Sequence, residues 1–219
     1  MDFLIGLMSL ILGYLLGSIP FGVVIGKVFF HKDIRNEGSK NSGGTNAGRI
    51  LGKKIGLIVI ILDLLKCLIS VWLTYFIVKY LFKSIDLFLT PTYFAYIAGL
   101  GACLGHTFPI FASFKGGKAV ACYAGLVLSL NWGLAIGGFI LYMIILKISK
   151  YVSLTSIITT LVVGLVSFIP IFKYTMCFGL EFDFILGIYL TLLAIYILIR
   201  HHSNVNRLLN HQEKKITWM

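Results

Sequence analysis

Residues 55–78, IGLIVIILDLLKCLISVWLTYFIV, form an apolar stretch longer than the roughly 20 residues that a helix needs to cross a bilayer. Only Asp63 and Lys66 place charge within it. Because residues three apart share a helix face, these two side chains are expected to meet. Ionisable groups within a span face the bundle interior and are either paired or functional, so an internal ion pair and a contribution to a functional site are both open interpretations.

The whole chain has the composition of an integral membrane protein. Of its 219 residues, 58% are hydrophobic and only 12% are charged, and the mean hydropathy is +0.95, far from soluble averages. The first residues, MDFLIGLMSLILGYLLG, carry Asp2 and no basic segment, so we interpret them as a retained span and not as a signal peptide. The four cysteines lie in apolar surroundings without a C-x-x-C pair, which predicts buried thiols and neither a disulfide nor a metal site.

The alternation of apolar and polar stretches predicts an all-α, polytopic membrane helical bundle of about seven transmembrane helices, built as one domain over residues 1–219. A bend is expected at GSIPFG, residues 17–22, because Pro20 removes a helical hydrogen bond and the freed carbonyl needs a partner, either Ser18 or a neighbouring helix. An interruption at Asn131 predicts two short helices, which are either two tilted spans or a re-entrant hairpin that leaves five full spans. The predicted spans are residues 3–30, 55–78, 92–105, 120–147 as two helices, 154–172 and 184–199.

The distribution of basic residues predicts the orientation of this bundle. With the N-terminus outside, only three of the 19 Lys and Arg residues lie outside, namely Lys79, Lys83 and Lys173. Lys66 lies in the membrane and all the others lie inside. The positive-inside rule therefore places the N-terminus outside and the C-terminus in the cytoplasm.

Three polar segments then share the cytoplasmic face. We call residues 38–49, GSKNSGGTNAGR, the first segment; residues 105–118, GHTFPIFASFKGGK, the second; and residues 200–213, RHHSNVNRLLNHQE, the third. A net charge of +11 alone indicates attraction to anionic lipid. Such attraction does not explain why glycines, asparagines and histidines accompany the basic residues.

The first segment has the composition of an anion site. Glycines let a backbone approach a ligand closely, so the successive amides of Gly43, Gly44 and Thr45 are candidates for an anion-binding concavity. We expect this site to bind a phosphate, and the alternative is a flexible basic loop that binds no ligand. Further hydrogen bonds and charge would come from Ser39, Asn41, Thr45, Asn46 and Arg49.

Taken together, the three segments resemble the motifs of the bacterial membrane glycerol-3-phosphate acyltransferases that use acyl phosphate as donor. The first is similar to G-S-x-N-x-G-x-T-N-x-x-R, the second to G-H-x-F-P-x-F-x-x-F-K-G-G-K-x-V-A, and the third to H-R-x-N-I-x-R-L-x-x-G-x-E. The resemblance runs nearly end to end. The matching positions are Gly38, Ser39, Asn41, Gly43, Thr45, Asn46 and Arg49; Gly105, His106, Phe108, Pro109, Phe111, Phe114, Lys115, Gly116, Gly117, Lys118, Val120 and Ala121; and His201, Asn204, Arg207, Leu208 and Glu213.

The chain departs from these motifs at five positions. Ala119 and Cys122 replace a common Gly and Thr, whereas His202, Val205 and Asn210 stand where Arg, Ile and Gly are usual. The third motif is therefore the weakest match, and the role of the C-terminal tail follows least directly from the resemblance.

The resemblance implies transfer of a fatty acyl group from acyl phosphate to the 1-hydroxyl of glycerol 3-phosphate, which is the first acylation of phospholipid synthesis. It further implies a multi-pass protein of the bacterial plasma membrane with its active site on the cytoplasmic face, supplied by the soluble enzyme that makes acyl phosphate. No cofactor, metal or nucleic acid is expected. The implied catalytic residues are Ser39, Arg49, Lys118, His201, Asn204 and Glu213, and the implied substrate-binding residues are Gly38, Asn41, Gly43, Gly44, Thr45, Asn46, His106, Gly116 and Gly117.

The two phosphates of such a reaction need two anion sites, for which we assign the backbone amides of the paired glycines Gly43–Gly44 and Gly116–Gly117. Lys118 would clamp a phosphate, with a lysine that merely reaches the membrane interface as the alternative. By residue type, the candidate bases are His106, His201 and Glu213, but a phosphate oxygen of the donor is our preferred proton acceptor. The chain lacks the H-x-x-x-x-D pair of the other large glycerolipid acyltransferase family, a Walker A sequence and any metal-ligand spacing.

Two other classes of protein remain as alternatives. A transporter of an organic phosphate also needs basic residues and broken helices, but it usually shows internal repeats and a site near the midplane. The two halves of this chain show no obvious similarity. A membrane scaffold without enzymatic activity would not need three dense polar segments.

Overall fold

The computed structural model describes residues 1–178, 180 and 182–216, and over these residues the chain is all-α, as expected. Short 3-10 helices cover Ile34–Asn36, Ile110–Ala112 and Pro170–Thr175. The last three residues lie outside the described residues. The prediction that the C-terminus is cytoplasmic concerns these residues. The α-helices of the described chain are α1 Asp2–Gly17, α2 Phe21–Phe30, α3 Gly44–Ile50, α4 Lys53–Leu81, α5 Pro91–Thr107, α6 Val120–Leu130, α7 Trp132–Ser149, α8 Val152–Val166, α9 Phe184–Arg200 and α10 His202–Leu209.

The break between α1 and α2 lies at the predicted bend. Helix α1 ends at Gly17, and Pro20, which has no N–H to donate, precedes the first residue of α2. The side-chain nitrogen of Lys66, on α4, donates to the carbonyl oxygen of Ile19 at 2.7 Å. A neighbouring helix therefore satisfies one backbone carbonyl at the break, whereas the carbonyl of Leu16, four residues before Pro20, accepts the backbone N–H of Ile19 at 3.3 Å.

Helices α1 and α5 pack through small residues. A side chain at Gly13 or Gly17 would collide with the backbone of α5 at Ala98 or Ala102. In the same way, a side chain at Gly101 on α5 would collide with the backbone of α1. Such contacts let two helix backbones approach closely, which is how helices associate in lipid, where apolar burial gives no driving force.

By length and hydropathy, four helical segments of the described chain are able to cross a membrane: Asp2–Phe30, Lys53–Leu81, Pro91–Ala112 and Trp132–Ser149. A fifth arises if α9 and α10, which meet at a bend of 60°, count as one span. Helices α6 and α8 are shorter. The predicted interruption at Asn131 is confirmed, since its side chain accepts the N–H of Leu134 at 2.9 Å and begins α7. We expected both halves to be short, but α7 is long enough to span. The count of seven stays a prediction.

Two compact units divide the chain, an N-terminal unit of residues 1–129 and a C-terminal unit from residue 130 onward. In the N-terminal unit, α4 packs against α1, α3 and α5. In the C-terminal unit, α8 packs against both α7 and α9, and Gly164 permits close approach of α8 to Thr191 on α9. The assignment of residues 1–219 to one domain stays a prediction.

Candidate functional site

The first segment folds around the side chain of Asn46, which is only 1% exposed. Its nitrogen donates to the carbonyl oxygens of Ile34 at 2.7 Å and Asn41 at 2.9 Å. Its oxygen accepts the N–H of Ser39 at 2.8 Å. Because both ends of the amide are used within the loop, Asn46 organises the segment, and its contact with a substrate stays a prediction.

The glycines of the first segment have three different local roles. Gly38 adopts a positive φ of 64°, and a side chain there would collide with Asn46. Gly44 packs against α4, where a Cβ would lie 2.7 Å from the carbonyl oxygen of Gly56. The N–H of Gly43 donates to Asn41 Oδ1 at 2.9 Å. The loop itself therefore uses the Gly43 amide, and binding of an anion by this amide stays a prediction.

Several polar side chains of the first segment face outward. Ser39, Thr45 and Arg49 are exposed, in contrast to the buried Asn46 beside them. Gly44 and Thr45 also lie in the first turn of α3, where helical N–H groups have no acceptor within the helix. The groups of this segment that can reach a soluble anion are therefore on its outer surface.

A buried group of three ionisable side chains connects α4 with the second segment. Asp63 Oδ1 lies 2.8 Å from Lys66 Nζ and 3.4 Å from His106 Nδ1, and all three side chains are nearly inaccessible to solvent. The ion pair expected within the span is thus present. Sequence reasoning missed its connection to His106, because no periodicity relates a residue at the end of α5 to one in the middle of α4.

The glycine pair of the second segment packs directly on His106. The N–H of Gly117 donates to the carbonyl oxygen of His106 at 2.9 Å, and a side chain at Gly117 would collide with the imidazole ring. A side chain at Gly116 would collide with the same carbonyl. The Gly117 amide, which we expected to bind phosphate, is therefore used inside the protein, and Lys118 follows it, partly exposed.

A second connection missed by sequence reasoning joins the 3-10 helix Ile34–Asn36, just before the first segment, to the second segment. The guanidinium of Arg35 binds both carboxylate oxygens of Asp33, with Nε to Oδ1 at 3.0 Å and Nη2 to Oδ2 at 2.7 Å. Its remaining nitrogen, Nη1, donates to the carbonyl oxygen of Ala112 at 2.8 Å. The D-x-R pattern before the first segment signals the ion pair, but nothing in the sequence identifies a distant backbone carbonyl as the third partner.

The third segment belongs to the C-terminal unit and is organised by Glu213, whose side chain is 7% exposed. Glu213 Oε1 accepts hydrogen bonds from Ser153 at 3.0 Å and Asn204 at 2.9 Å, and Oε2 accepts from Arg207 at 2.7 Å. Burial alone would raise the pKa of Glu213, but the hydrogen bonds from Asn204, Arg207 and Ser153 outweigh it and lower that pKa. Glu213 is thus held ionised and fixes α10 against α8.

His201 lies at the corner between α9 and α10 and is 4% exposed. Its Nδ1 is 2.8 Å from the carbonyl oxygen of Ile197. A carbonyl can only accept, so Nδ1 carries the proton in this contact, and in the neutral ring Nε2 is then the basic nitrogen.

Comparisons with known proteins agree with the resemblance seen in the motifs. The sequence-family model described as glycerol-3-phosphate acyltransferase matches residues 7–211. A glycerol-3-phosphate acyltransferase of Staphylococcus aureus (strain bovine RF122 / ET3-1) is 41% identical over 213 residues, which cover 97% of this chain and 98% of the relative. The protein of that name in S. aureus strain JH9 matches to the same extent.

Two crystal structures of PlsY (YgiH), an integral membrane glycerol 3-phosphate acyltransferase, are also similar to the fold. The glycerol 3-phosphate form has a TM-score of 0.80 and 36% identity, and covers 97% of this chain and 96% of its own. The lysophosphatidic acid form has a TM-score of 0.78 and 34% identity, with 97% and 95% covered. The chain therefore belongs to the glycerol-3-phosphate acyltransferase family.

Proposed function

We propose that this enzyme transfers a fatty acyl group from acyl phosphate to the 1-hydroxyl of glycerol 3-phosphate. The hydroxyl oxygen forms the new ester bond to the acyl carbon, the bond from that carbon to the phosphate oxygen breaks, and the hydroxyl proton leaves with the phosphate. The products are 1-acylglycerol 3-phosphate and inorganic phosphate. The observation that carries the proposal is a basic, outward-facing first segment whose Asn46 binds the 3-10 helix of Arg35, which in turn binds the segment that bears Lys118.

Arg49 and Lys118 are the groups that we assign to the two substrate phosphates. Both substrates are anions, and charge-assisted hydrogen bonds from a guanidinium or an ammonium bind phosphate well. Arg49 is exposed on α3 and Lys118 is partly exposed after the glycine pair. Further contacts are proposed from exposed or partly exposed neighbours, namely Gly38, Ser39, Asn41, Thr45 and Gly116, and from the first-turn amide of Gly44.

The proton acceptor that we propose is a phosphate oxygen of the donor. His106 and His201 use Nδ1 to contact Asp63 and the carbonyl of Ile197, so each is an alternative acceptor through Nε2. Glu213 already accepts three hydrogen bonds within the protein. A carboxylate with a lowered pKa is also a weaker base. We therefore assign Glu213, together with Asn204, to holding the third segment in place.

The location of the reaction follows from the chemistry of the substrates. Glycerol 3-phosphate is soluble, whereas acyl phosphate combines a lipid tail with an anionic head, so the two meet most easily at the rim of a membrane. The positive-inside distribution of Lys and Arg favours the cytoplasmic rim of the bacterial plasma membrane. A soluble enzyme that produces acyl phosphate is the partner that this location requires.

Release of inorganic phosphate by the purified full-length protein tests the proposed reaction. Phosphate and 1-acylglycerol 3-phosphate are expected in equal amounts when long-chain acyl phosphate and glycerol 3-phosphate are both present. Excess inorganic phosphate should inhibit, because it is a product that competes for an anion site, and chelation of divalent metals should have no effect. Phosphate release that does not depend on glycerol 3-phosphate would indicate hydrolysis and would contradict acyl transfer.

A further inference from the structure

Arg35 precedes the first segment and lies outside all three motifs, yet each of its three guanidinium nitrogens has a hydrogen-bond acceptor. Its guanidinium and the carboxylate of Asp33 form two parallel hydrogen bonds, and both side chains are largely buried, at 18% and 16% exposure. Asp33 Oδ1 also accepts the backbone N–H of Arg35 at 3.0 Å, which caps the 3-10 helix Ile34–Asn36. The plane of the guanidinium is therefore fixed from two directions.

This fixed plane directs the third nitrogen of Arg35 to the second segment. The acceptor, the carbonyl oxygen of Ala112, is the last of the 3-10 helix Ile110–Ala112, and it also accepts the N–H of Lys115 at 3.1 Å. Ser113 and Phe114 follow with positive φ angles of 53° and 58°. The bond from Arg35 thus holds the start of the turn that leads to Gly116, Gly117 and Lys118.

The 3-10 helix that carries Arg35 is also held by the first segment. The carbonyl oxygen of Ile34, next to Arg35, accepts the side-chain N–H of Asn46 at 2.7 Å. Asn46 lies on α3 three residues before Arg49. Two hydrogen bonds therefore connect the helix that carries Arg49 to the turn that leads to Lys118. The first runs from Asn46 to Ile34, and the second runs from Arg35, the next residue, to Ala112.

We propose that Arg35 is a positioning residue for acyl transfer, held by Asp33 so that it fixes the second segment against the first. The inference rests on the proposed function, in which the two segments bind the phosphates of the two substrates. Reacting groups held on separate segments gain rate only while their relative position is kept, and a displacement of about 1 Å can cost a large part of that gain.

Asp33→Asn separates positioning from direct binding of a substrate by Arg35. The asparagine retains Oδ1, which caps the 3-10 helix, but it loses the charge that holds the guanidinium. If Arg35 itself bound a phosphate, removing its competing carboxylate would preserve or increase affinity for glycerol 3-phosphate. If Arg35 positions the second segment, the same change releases the guanidinium and lowers activity.

The experiment measures kcat and KM for both substrates in Arg35→Lys, Arg35→Gln and Asp33→Asn, with thermal unfolding recorded for each purified full-length variant. Lys27→Gln is the matched control, because Lys27 Nζ also contacts Asp33, at 3.3 Å, but its side chain is 56% exposed. We expect kcat/KM per folded molecule to fall by about 10-fold or more in each of the three variants, in addition to any loss of thermal stability from breaking a largely buried ion pair. Lys27→Gln should stay within about twofold, since exposed ion pairs contribute little.

Three results would overturn the proposal. The first is normal kcat/KM in Arg35→Lys, because lysine keeps the charge but cannot form the bidentate contact with Asp33. The second is normal or improved activity in Asp33→Asn. This result is decisive even if the Arg35 variants fail to fold. The third is a fall in thermal stability with full activity per folded molecule, which would make the contact merely structural.

Stabilisation of each variant by glycerol 3-phosphate alone is measured in parallel and needs no acyl donor. If the unchanged protein fails to use acyl phosphate, the proposed donor is wrong. Weaker stabilisation by glycerol 3-phosphate in both Arg35→Lys and Asp33→Asn would still support positioning by Arg35, and unchanged stabilisation in both would contradict it.

Discussion

At the scale of single residues, the exposed cations carry the chemistry that we propose. Arg49→Ala and Lys118→Ala should each lower kcat/KM by about 100-fold or more, because a charge-assisted hydrogen bond to phosphate contributes roughly 3 kcal/mol. Both residues are at least partly exposed, so the folded protein should survive. Lys53→Ala, at an exposed position on α4, is the control and should keep normal kinetics. Normal kinetics in either test variant would remove that residue from the site.

Ala119 has a backbone conformation that favours glycine. Its φ is 62° and its side chain is fully buried, directly after Lys118. A β-branched residue fits this conformation poorly, so Ala119→Val should lower the free energy of unfolding by about 1–3 kcal/mol. Thermal unfolding would show the loss. Ala119→Gly and the helical control Ala121→Val should both stay close to the unchanged protein, and equal unfolding temperatures for both valine variants would refute the argument.

Glu213 should make stability depend on pH in one direction. Burial opposes its ionisation, but hydrogen bonds from Asn204, Arg207 and Ser153 outweigh burial and lower its pKa. A carboxyl whose pKa is lowered by folding stabilises the fold above its ordinary pKa of about 4.3 and loses that contribution as the pH falls through the folded-state value.

Glu213→Gln is therefore expected to unfold at a lower temperature than the unchanged protein at neutral pH, with a difference that shrinks in acid. Unfolding temperatures measured from neutral pH down to below about pH 4 test this. The exposed Glu37→Gln is the control. A difference that stays constant over this range would show that the charge of Glu213 does not contribute.

For single residues, the motifs identified the polar positions of the loops, but they did not predict which of these positions face outward and which bind the protein's own backbone. Ser39 and Arg49 face outward as an anion site requires, but Asn46 turns inward and binds the loop's own backbone. The amides of Gly43 and Gly117 were expected to face phosphate, and within the protein they bind Asn41 and His106. Composition identifies a loop with many donors, whereas the acceptor of each donor depends on tertiary contacts that residue spacing does not encode.

At the scale of elements, the buried group of Asp63, Lys66 and His106 ties three parts of the N-terminal unit together. Lys66 also reaches the carbonyl of Ile19 at the helix break. Removing one partner leaves an uncompensated buried charge, so Lys66→Met should destabilise the protein by about 3–5 kcal/mol. Thermal unfolding of the variant and of the unchanged protein, both in one detergent, measures the loss of stability.

The double variant Asp63→Leu with Lys66→Met is the sharper test of this group. It removes both charges, and replacement of a buried ion pair by apolar side chains is often close to neutral. It should therefore be more stable than Lys66→Met alone. If both variants unfold at the same temperature, the pair does not account for the stability of this region.

The break at Pro20 and the start of α7 at Asn131 were predictable from local rules of helix geometry. The lengths of the spans were harder to predict. Residues 154–172 read as one continuous span, but α8 ends at Val166 and a 3-10 helix begins at Pro170. Apolar composition does not distinguish a helix that continues from a loop that packs against protein, because both are hydrophobic in a membrane.

At the scale of the whole molecule, orientation is the prediction that most needs a direct measurement. Cysteine replacements at His31 and Lys83, both exposed, flank the span of α4. In intact cells an impermeant thiol reagent should label Lys83→Cys and spare His31→Cys. A Cys177→Ser background removes the native thiol that is not fully buried. The opposite labelling pattern would overturn the proposed cytoplasmic site.

Donor choice tests the account's central claim most directly. The chain offers compact glycine-rich turns beside apolar helices, which suit a lipid tail with a small phosphate head, and the proposed proton acceptor is a phosphate oxygen of the donor itself. One preparation of the purified protein should be given glycerol 3-phosphate with acyl phosphate, acyl-CoA or acyl carrier protein of the same chain length, and the formation of 1-acylglycerol 3-phosphate should be measured. The account predicts turnover with acyl phosphate and little or none with the two thioesters. Efficient transfer from acyl-CoA with acyl phosphate inert would contradict it.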